Sequence, residues 1–138
     1  MRKVAIIGAG SVVFCKTLML DIMATKGLEE TEFALMAPST RNTSKVEEFI
    51  NKVIHKNGLR AKVWVTTDRR EALKGADYVI ATFQVGGVPA FEQDYTIPMK
   101  HGVDQCIGDT LGPGGVFRAL RSIPETLALA KEMEEVCP

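Results

Sequence analysis

The sequence predicts an α/β fold in which a parallel β-sheet is covered by helices on both faces. Four short apolar stretches typical of buried strands alternate along the chain with segments of helical periodicity. The chain has 138 residues, of which 46% are hydrophobic and 25% are charged, and this suits one domain with a packed core. We therefore expect residues 1–138 to form a single domain. Another strand is due where the sequence ends, so we expect this domain to be about half of a longer fold.

The charge balance argues against a nucleic-acid or membrane partner. Lysine and arginine together number 17, aspartate and glutamate also number 17, and the formal net charge is zero, so the chain has no basic footprint for polyanions. Its three cysteines, Cys15, Cys106 and Cys137, are scattered and odd in number, which fits a reducing compartment better than a disulfide framework. No apolar stretch of the sequence approaches the ~20 residues that span a bilayer. These observations predict a cytoplasmic protein.

The first two strands enclose one helix. Val4–Ile7 is a β-branched run typical of a buried parallel strand, and Glu32–Met36 predicts the second strand. A helix is expected between them from Ser11 to about Thr25, with Gly27 as its stop. Its buried face is expected to consist of Phe14, Leu18, Ile22 and Met23.

A capping box marks the start of the next helix. Ser44 and Glu47 have the spacing in which each side chain can bond the other's main-chain N–H. Apolar residues follow at helical spacing until Asn57 and Gly58 end the helix. A third strand, a short helix and a fourth strand are then predicted at Ala61–Thr66, Asp68–Lys74 and Tyr78–Phe83.

The last third of the chain has weaker patterns. No regular element is predicted between Gln84 and Lys100. The glycine-rich loop Gly108–Gly115 then leads into a terminal helical region. Within that region Ser122–Glu125, with proline in the first turn, is typical of a second helix start.

The stretch "AIIGAGSVVF" resembles a dinucleotide-binding turn. In such a turn the first glycine makes the tight bend, and the second allows the main chain to approach a pyrophosphate at the helix N-terminus. Gly8 and Gly10 suit these tasks, and the Ser11 hydroxyl can add a donor. The usual third glycine is replaced by Val13, which predicts a slightly wider spacing between helix and strand. The turn predicts a Rossmann-like domain, and a βα turn without a ligand is the alternative.

The residue that normally binds the ribose hydroxyls is missing. An acid is expected near the end of the second strand, but Ala37 occupies that place. Ser39, Thr40 and Arg41 follow, and their side chains suit a 2′-phosphate, which favours NADP over NAD. Alternatively, these residues form a solvated loop ahead of the next helix. The sequence leaves NAD and NADP both open.

Several segments together resemble the N-terminal part of glycoside hydrolase family 4, in particular its α-galactosidase and α-glucosidase branch. The segments are "IIGAGSVVF", "GADYVIATFQVGG", "KHGVDQCIGDTLGPGGVFRALRSIP" and "EEVCP". The resemblance implies hydrolysis of O-glycosides that depends on NAD or NADP and on a divalent metal, usually manganese. In that family the bound dinucleotide takes a hydride from the third carbon of the sugar. The resulting ketone acidifies the proton on the neighbouring second carbon. The substituent is then eliminated, water adds and the hydride returns.

The resemblance, together with the loop after the second strand described above, assigns roles to individual residues. The cofactor-binding set is Gly8, Ala9, Gly10, Ser11, Ser39, Arg41, Phe83, Gln84 and Val85. The substrate-binding set is Asp109, Gly114 and Arg118.

Simpler roles compete with two of these assignments, and a third residue nearby has a structural role. Asp109 can cap a turn before Thr110, and Gln84 can satisfy main-chain groups. Arg121, which lies beside the substrate-binding set in the sequence, is expected to secure a neighbouring loop rather than to bind the sugar.

The resemblance places the family's catalytic groups outside this sequence. Its metal-binding cysteine and histidine and its acid and base are expected beyond Pro138, so no catalytic or metal role is assigned here. We expect the chain to be the N-terminal portion of a longer, homo-oligomeric enzyme that acts on a small glycoside. A dinucleotide sensor without catalysis and a simple dehydrogenase domain are the alternatives.

Overall fold

The computed structural model describes residues 1–105 and 111–138. The elements are, in chain order, β1 (Lys3–Ile7), α1 (Val12–Ala24), β2 (Glu32–Met36), α2 (Thr40–Asn57), β3 (Lys62–Thr66), α3 (Arg69–Leu73), β4 (Tyr78–Ala81), α4 (Gly87–Lys100) and α5 (Gly112–Val136). The chain divides into two compact units, one of residues 1–83 with 133–138 and one of residues 84–132. The predicted single domain therefore has two parts. No helix among the described residues has the length and hydropathy needed to cross a membrane.

The first unit contains a four-stranded sheet with the order β3-β2-β1-β4. All three strand pairs are parallel, and β1 lies between β2 and β4. In β1, Val4 is opposite Phe33 on one side and Tyr78 on the other. This arrangement confirms the predicted parallel α/β fold, because all neighbouring strands are parallel and each strand is joined to the next by a crossover connection.

The core on one face of the sheet is formed by alternate strand residues and two helices. Ile6, Phe33 and Leu35 are fully buried there and belong to the same apolar cluster as the inner side of α1. That inner side consists of Cys15, Met19 and Met23. The predicted inner face was right for Ile22 and Met23 and wrong for Phe14 and Leu18, since Phe14 is 54% exposed and Leu18 is only half-buried. A shift of one residue turns a side chain by about 100° around the helix axis, which accounts for the error.

The short helix α3 covers the other face. It contacts β1 and β2, and Ala72 and Leu73 are fully buried. The crossover from β3 at one edge to β4 at the other runs opposite to the two preceding crossovers. Because such crossovers are right-handed, α3 lies on the face opposite α1 and α2. Helices therefore cover both faces, as the sequence predicts.

The helix α2 begins four residues before the predicted capping box. Its N-cap is Ser39, whose hydroxyl accepts a hydrogen bond from the Arg41 N–H at 3.3 Å. Ser44 therefore lies inside the helix, and its predicted role as the cap was wrong. The predicted end was right, because Gly58 adopts a left-handed conformation with φ of 61° that terminates the helix.

The helix α4 occupies the segment for which no regular structure is predicted. Pro98 lies inside it and lacks an N–H, so the carbonyl of Asp94 loses its helical donor. The Gln105 side-chain amide donates to that carbonyl instead, at 3.0 Å. A hydrogen bond from beyond the helix thus compensates for the proline.

The helix α5 is continuous through the predicted second start. It begins at Gly112, so part of the predicted glycine-rich loop is helical, and Pro124 lies inside it. The carbonyl of Leu120, four residues before this proline, lies on an exposed part of the helix, where water can bond to it. Ser122–Glu125 therefore does not start a new helix.

Candidate functional site

The bend after β1 is held by main-chain hydrogen bonds to β2. The N–H groups of Gly8 and Ala9 both donate to the Met36 carbonyl at 2.9 Å. Gly8 has a φ of +92°, and a Cβ on it would lie only 2.6 Å from the nitrogen of Phe83. Ala9 is fully buried. Gly8 and Ala9 therefore shape the bend, and their N–H groups are already bonded within the fold.

Two polar side chains that the sequence analysis missed secure the same bend. The Thr82 hydroxyl donates to the Gly8 carbonyl at 3.0 Å, and the Thr82 N–H donates to the Ile7 carbonyl at 2.8 Å. The Asn42 side-chain amide donates to the Gly10 carbonyl at 3.2 Å. Neither residue has a local signal in the sequence, because both act on residues at least 32 positions away.

Gly10 leaves open space in front of α1, although its own N–H donates to the Gly8 carbonyl at 2.7 Å. A Cβ placed on Gly10 would meet no described atom within 4 Å. Ser11 is the exposed N-cap of α1, and its side chain makes no capping bond within the described part of the chain. The first turn of a helix has N–H groups without helical acceptors, and α1 has no acid there to repel an anion. These features are the ones that helix N-termini use to bind anions, and a phosphate-binding role for this turn stays a prediction.

Val13 does not pack between α1 and the sheet. Its side chain is 72% exposed, whereas Cys15 lies in the core. A wider helix–strand spacing caused by the Val13 side chain therefore has no support here and stays a prediction. The residue at this position of the bend faces solvent, so glycine is not needed for packing.

The loop after β2 has the exposed residues that the sequence predicts. Ala37 is 5% exposed, so the usual place of the ribose-binding acid is filled by a buried methyl group. Ser39 and Arg41 are exposed at the start of α2. The Ser39 oxygen also accepts the Arg41 N–H, so it has a capping task as well. A 2′-phosphate site at these residues stays a prediction.

Phe83 follows β4 in the first unit and is half-buried. In the second unit Gln84 is exposed, and its side-chain amide lies 3.5 Å from the carbonyl of Gly87. Val85 is half-buried. The contact with Gly87 is the main-chain role that the sequence analysis kept as an alternative for Gln84, and the cofactor role stays a prediction.

Two of the three predicted substrate-binding residues, Gly114 and Arg118, lie on α5. Asp109 lies outside the described residues. Gly114 is buried in the first turn of α5, where its N–H lies 3.5 Å from the Gln105 side-chain oxygen. Arg118 is half-buried on the same helix and has partners of its own. Contact of these residues with a sugar stays a prediction.

Two further observations concern the chemistry that this chain can supply. Burial raises the pKa of the Cys15 thiol from 9.0 to about 11, so Cys15 remains a protonated core residue near neutral pH. No group of three or more histidine, cysteine, aspartate or glutamate side chains suited to a metal ion occurs in residues 1–105 and 111–138. The described residues therefore do not fit a metal centre of their own.

Comparison with known proteins identifies the family. The family model described as family 4 glycosyl hydrolase matches residues 3–138. The chain belongs to this family. It is 44% identical to an α-galactosidase of Rhizobium meliloti (strain 1021) over 97% of its own length, which is 27% of that protein. It is 38% identical to an α-galactosidase of Bacillus subtilis (strain 168) over 100% of its own length and 32% of that protein. The chain thus spans about a third or less of these relatives, and the predicted resemblance is confirmed.

Solved structures of the family have the same fold. The 6-phospho-β-glucosidase of Thermotoga maritima, with manganese, NAD⁺ and glucose-6-phosphate, matches with a TM-score of 0.82 and 26% identity. This match covers 99% of our chain and 32% of that protein. A 6-phospho-α-glucosidase from gut microorganisms, with NAD and glucose-6-phosphate, matches with a TM-score of 0.81 and 28% identity over 98% of our chain and 30% of that one. Both of these structures contain NAD, and our chain has the fold of the part that it matches in each.

Proposed function

We propose that this family 4 chain is the dinucleotide-binding part of a glycosidase that hydrolyses O-glycosides, α-galactosides first among them, by redox elimination. The observation that supports this most directly is the empty space at Gly10 beside the exposed N-cap Ser11, in front of the first turn of α1. It lies in the bend that joins β1 to the first helix of a parallel sheet, where dinucleotide folds hold their pyrophosphate. The α-galactosidases among the relatives support the sugar class.

The structure refines the roles within the proposed phosphate site. Gly8 and Ala9 hold the bend in shape, since their N–H groups bond to Met36. We propose that the pyrophosphate accepts hydrogen bonds from the N–H groups in the first turn of α1 and from the Ser11 hydroxyl. Gly10 lets the phosphates approach because it has no side chain at the point of contact. The exposed Ser39 and Arg41 are proposed to contact the adenosine ribose or its 2′-phosphate.

The reacting half of the cofactor is proposed to lie at the chain positions that follow β4. When bound, NAD or NADP supplies a hydride acceptor for the sugar's third carbon. Phe83, Gln84 and Val85 are proposed to orient the nicotinamide ring. Gly114 and Arg118, together with Asp109, are proposed to face the sugar.

The metal is proposed to be held by residues outside this chain's described part. A relative of known structure contains manganese, whereas the described residues here offer no suitable cluster of ligands. We therefore assign this chain no metal ligand and derive no metal-assisted step for it.

We also propose that the functional protein is a cytoplasmic homo-oligomer. β4 ends the sheet order and has β1 as its one neighbouring strand in the described sheet, and Tyr78 on it is 55% exposed. In the longer enzyme we expect the next strand at this edge, so the uncovered edge predicts self-association of the 138-residue chain itself. Light scattering tests this, and a strict monomer at all concentrations would contradict it.

The proposed cofactor role is tested by titrating the 138-residue chain with NAD, NADP and ADP-ribose in a calorimeter. We expect saturable binding of all three ligands. A Gly10→Ala variant should lose this binding, because its methyl group would project into the space proposed for the pyrophosphate. The exposed Lys45→Ala variant is the control and should bind normally. An unaltered chain that binds none of the three ligands would overturn the proposal.

A second assay addresses catalysis. The chain alone, supplied with nicotinamide nucleotide, manganese, reductant and an α-galactoside, should release no sugar, because we place the metal ligands elsewhere. Clear turnover would contradict that placement.

A further inference from the structure

Arg121 and Asp94 form a paired group within the unit of residues 84–132. Asp94, on α4, is 3% exposed although it is charged. Both of its oxygens are bonded by the Arg121 guanidinium on α5, at 2.7 and 2.5 Å. A buried carboxylate is costly unless it is paired in this way, and the two-pronged geometry is one that lysine cannot reproduce. The pair therefore has a defined orientation.

The same guanidinium reaches the turn that follows β4. The Arg121 Nε lies 3.5 Å from the carbonyl oxygen of Val85, and its Nη1 also donates to the Phe117 carbonyl at 3.2 Å. One arginine thus connects α4, α5 and the turn of residues 84–87. The Asp94 hydrogen bonds raise the pKa of this guanidinium, so it stays charged at any pH at which the protein is folded.

The turn itself is closely fitted to this arginine. Gly86 has a φ of +84°, and a Cβ on it would lie 2.5 Å from the Ala90 Cβ and 3.5 Å from Nε of Arg121. Gly86 is also the N-cap of α4, and its carbonyl accepts the Ala90 N–H at 3.4 Å. A side chain at Gly86 would therefore not fit between Ala90 of α4 and the guanidinium.

We infer that Arg121 and Asp94 are positioning residues that hold the turn of residues 84–87, and with it Gln84, in the conformation that binds the nicotinamide half of the cofactor. This inference rests on the proposed function, because it takes Gln84 to contact that half. Asp94 orients the guanidinium, and the guanidinium holds the Val85 carbonyl. Gln84, whose side chain is exposed, is the residue immediately before Val85. The pair acts through the turn and does not itself touch the cofactor.

The experiment separates positioning from stability by means of two ligands. NAD includes the nicotinamide half, whereas ADP-ribose lacks the nicotinamide ring and depends on the glycine bend. Arg121→Gln should raise the Kd for NAD about tenfold, because only a fraction of turn conformations would be competent for binding. The Kd for ADP-ribose should stay within twofold of the unaltered chain's value. Arg121→Lys should resemble Arg121→Gln, since an ammonium group cannot bond the two carboxylate oxygens and the Val85 carbonyl together.

A double variant guards against a simple loss of folding. Arg121→Gln alone leaves a buried charge at Asp94, and Asp94→Asn with Arg121→Gln removes that charge. The double variant should recover stability but keep the weakened NAD binding, because the bond to Val85 is still missing. Glu92→Gln, a change at an exposed position of α4, is the control. Its stability and its Kd for NAD should match those of the unaltered chain.

A measurement without ligand completes the test. Amide hydrogen exchange at residues 84–87 should be faster in the double variant than in the unaltered chain or in Glu92→Gln. Unaltered exchange there, or equal losses of NAD and ADP-ribose binding, would overturn the inference. Failure of the unaltered chain to bind either ligand would refute the proposed function, and the cofactor role of the turn would fall with it. If neither ligand binds but exchange at residues 84–87 is still faster in the double variant, Arg121 holds the turn in place without any role in cofactor binding.

Discussion

Gly8 lies against the main chain of Phe83 so closely that a Cβ on it would be 2.6 Å from the Phe83 nitrogen. Gly10, two residues further on, has open space where its Cβ would be. The two glycines of one bend therefore have different reasons for being glycine. The first is required by the packing of β1 against the end of β4, and the second is proposed to be required by the ligand.

This difference predicts opposite effects of two matched substitutions. Gly8→Ala should lower the free energy of unfolding by about 1–3 kcal/mol or more, because the added methyl group would clash with Phe83 and the residue has a positive φ. Gly10→Ala should change it by less than about 0.5 kcal/mol, since the added methyl group meets nothing. Denaturant unfolding followed by circular dichroism measures both values. Equal losses in the two variants would contradict this account of the bend.

The start of α2 allows a second pair of substitutions. Ser39→Ala should cost about 1 kcal/mol of unfolding free energy, because it removes the hydroxyl that accepts the Arg41 N–H. Ser44→Ala should be neutral or slightly stabilising, since Ser44 is exposed inside the helix and alanine is a better helix former. Thermal unfolding of both variants provides the comparison. A larger loss for Ser44→Ala would restore the capping box predicted from the sequence.

These results show where the sequence is informative. The four strands were predicted closely because buried parallel strands are short, mainly apolar runs, and Glu32–Met36 matches the structure residue for residue. The start of α2 was missed because Ser39, Thr40 and Ser44 are all residue types that cap helices. The helix α4 was missed because glycine and proline signal a break, whereas the compensating bond from Gln105 to Asp94 depends on tertiary structure.

The candidate site could be predicted only in part, for similar reasons. The spacing of Gly8 and Gly10 located the bend, because that spacing is a property of the local chain. Thr82 and Asn42 support the bend through contacts that exist only after the sheet has formed. The buried state of Asp94 likewise gives no sequence signal, although Arg121 was expected to secure a neighbouring loop. Its bond to the Val85 carbonyl agrees with that expectation.

The residues of the loop after β2 predict how tightly the chain binds NADP relative to NAD. No acid occupies the place of Ala37, so NADP should bind at least as tightly as NAD. Arg41→Ala should weaken NADP binding about tenfold, the effect of losing one charge-assisted hydrogen bond, and should leave NAD binding unchanged. Lys45→Ala, an exposed change on the same helix, is the control for general charge effects. A strong preference of the unaltered chain for NAD would remove Ser39 and Arg41 from the site.

The buried thiol of Cys15 predicts a specific dependence of stability on pH. Its pKa is raised from 9.0 to about 11 by burial, so the unfolded chain loses this proton first as the pH rises. Below pH 9 the thiol is protonated in both the folded and the unfolded chain, so the contribution of Cys15 to the free energy of unfolding is fully present. Between pH 9 and about 11 it falls by at most about 1.4 kcal/mol per pH unit, because ionisation favours the unfolded chain.

Comparison with Cys15→Ala isolates this effect from the other groups that titrate in the same range. The variant should be less stable than the unaltered chain at pH 8, because Cys15 is 1% exposed and packs beside Met19. The difference in unfolding free energy between the two proteins should shrink as the pH rises from 9 to 11. Urea unfolding at several pH values measures that difference. A difference that stays constant over this range would mean that the Cys15 thiol ionises as readily in the folded core as in the unfolded chain.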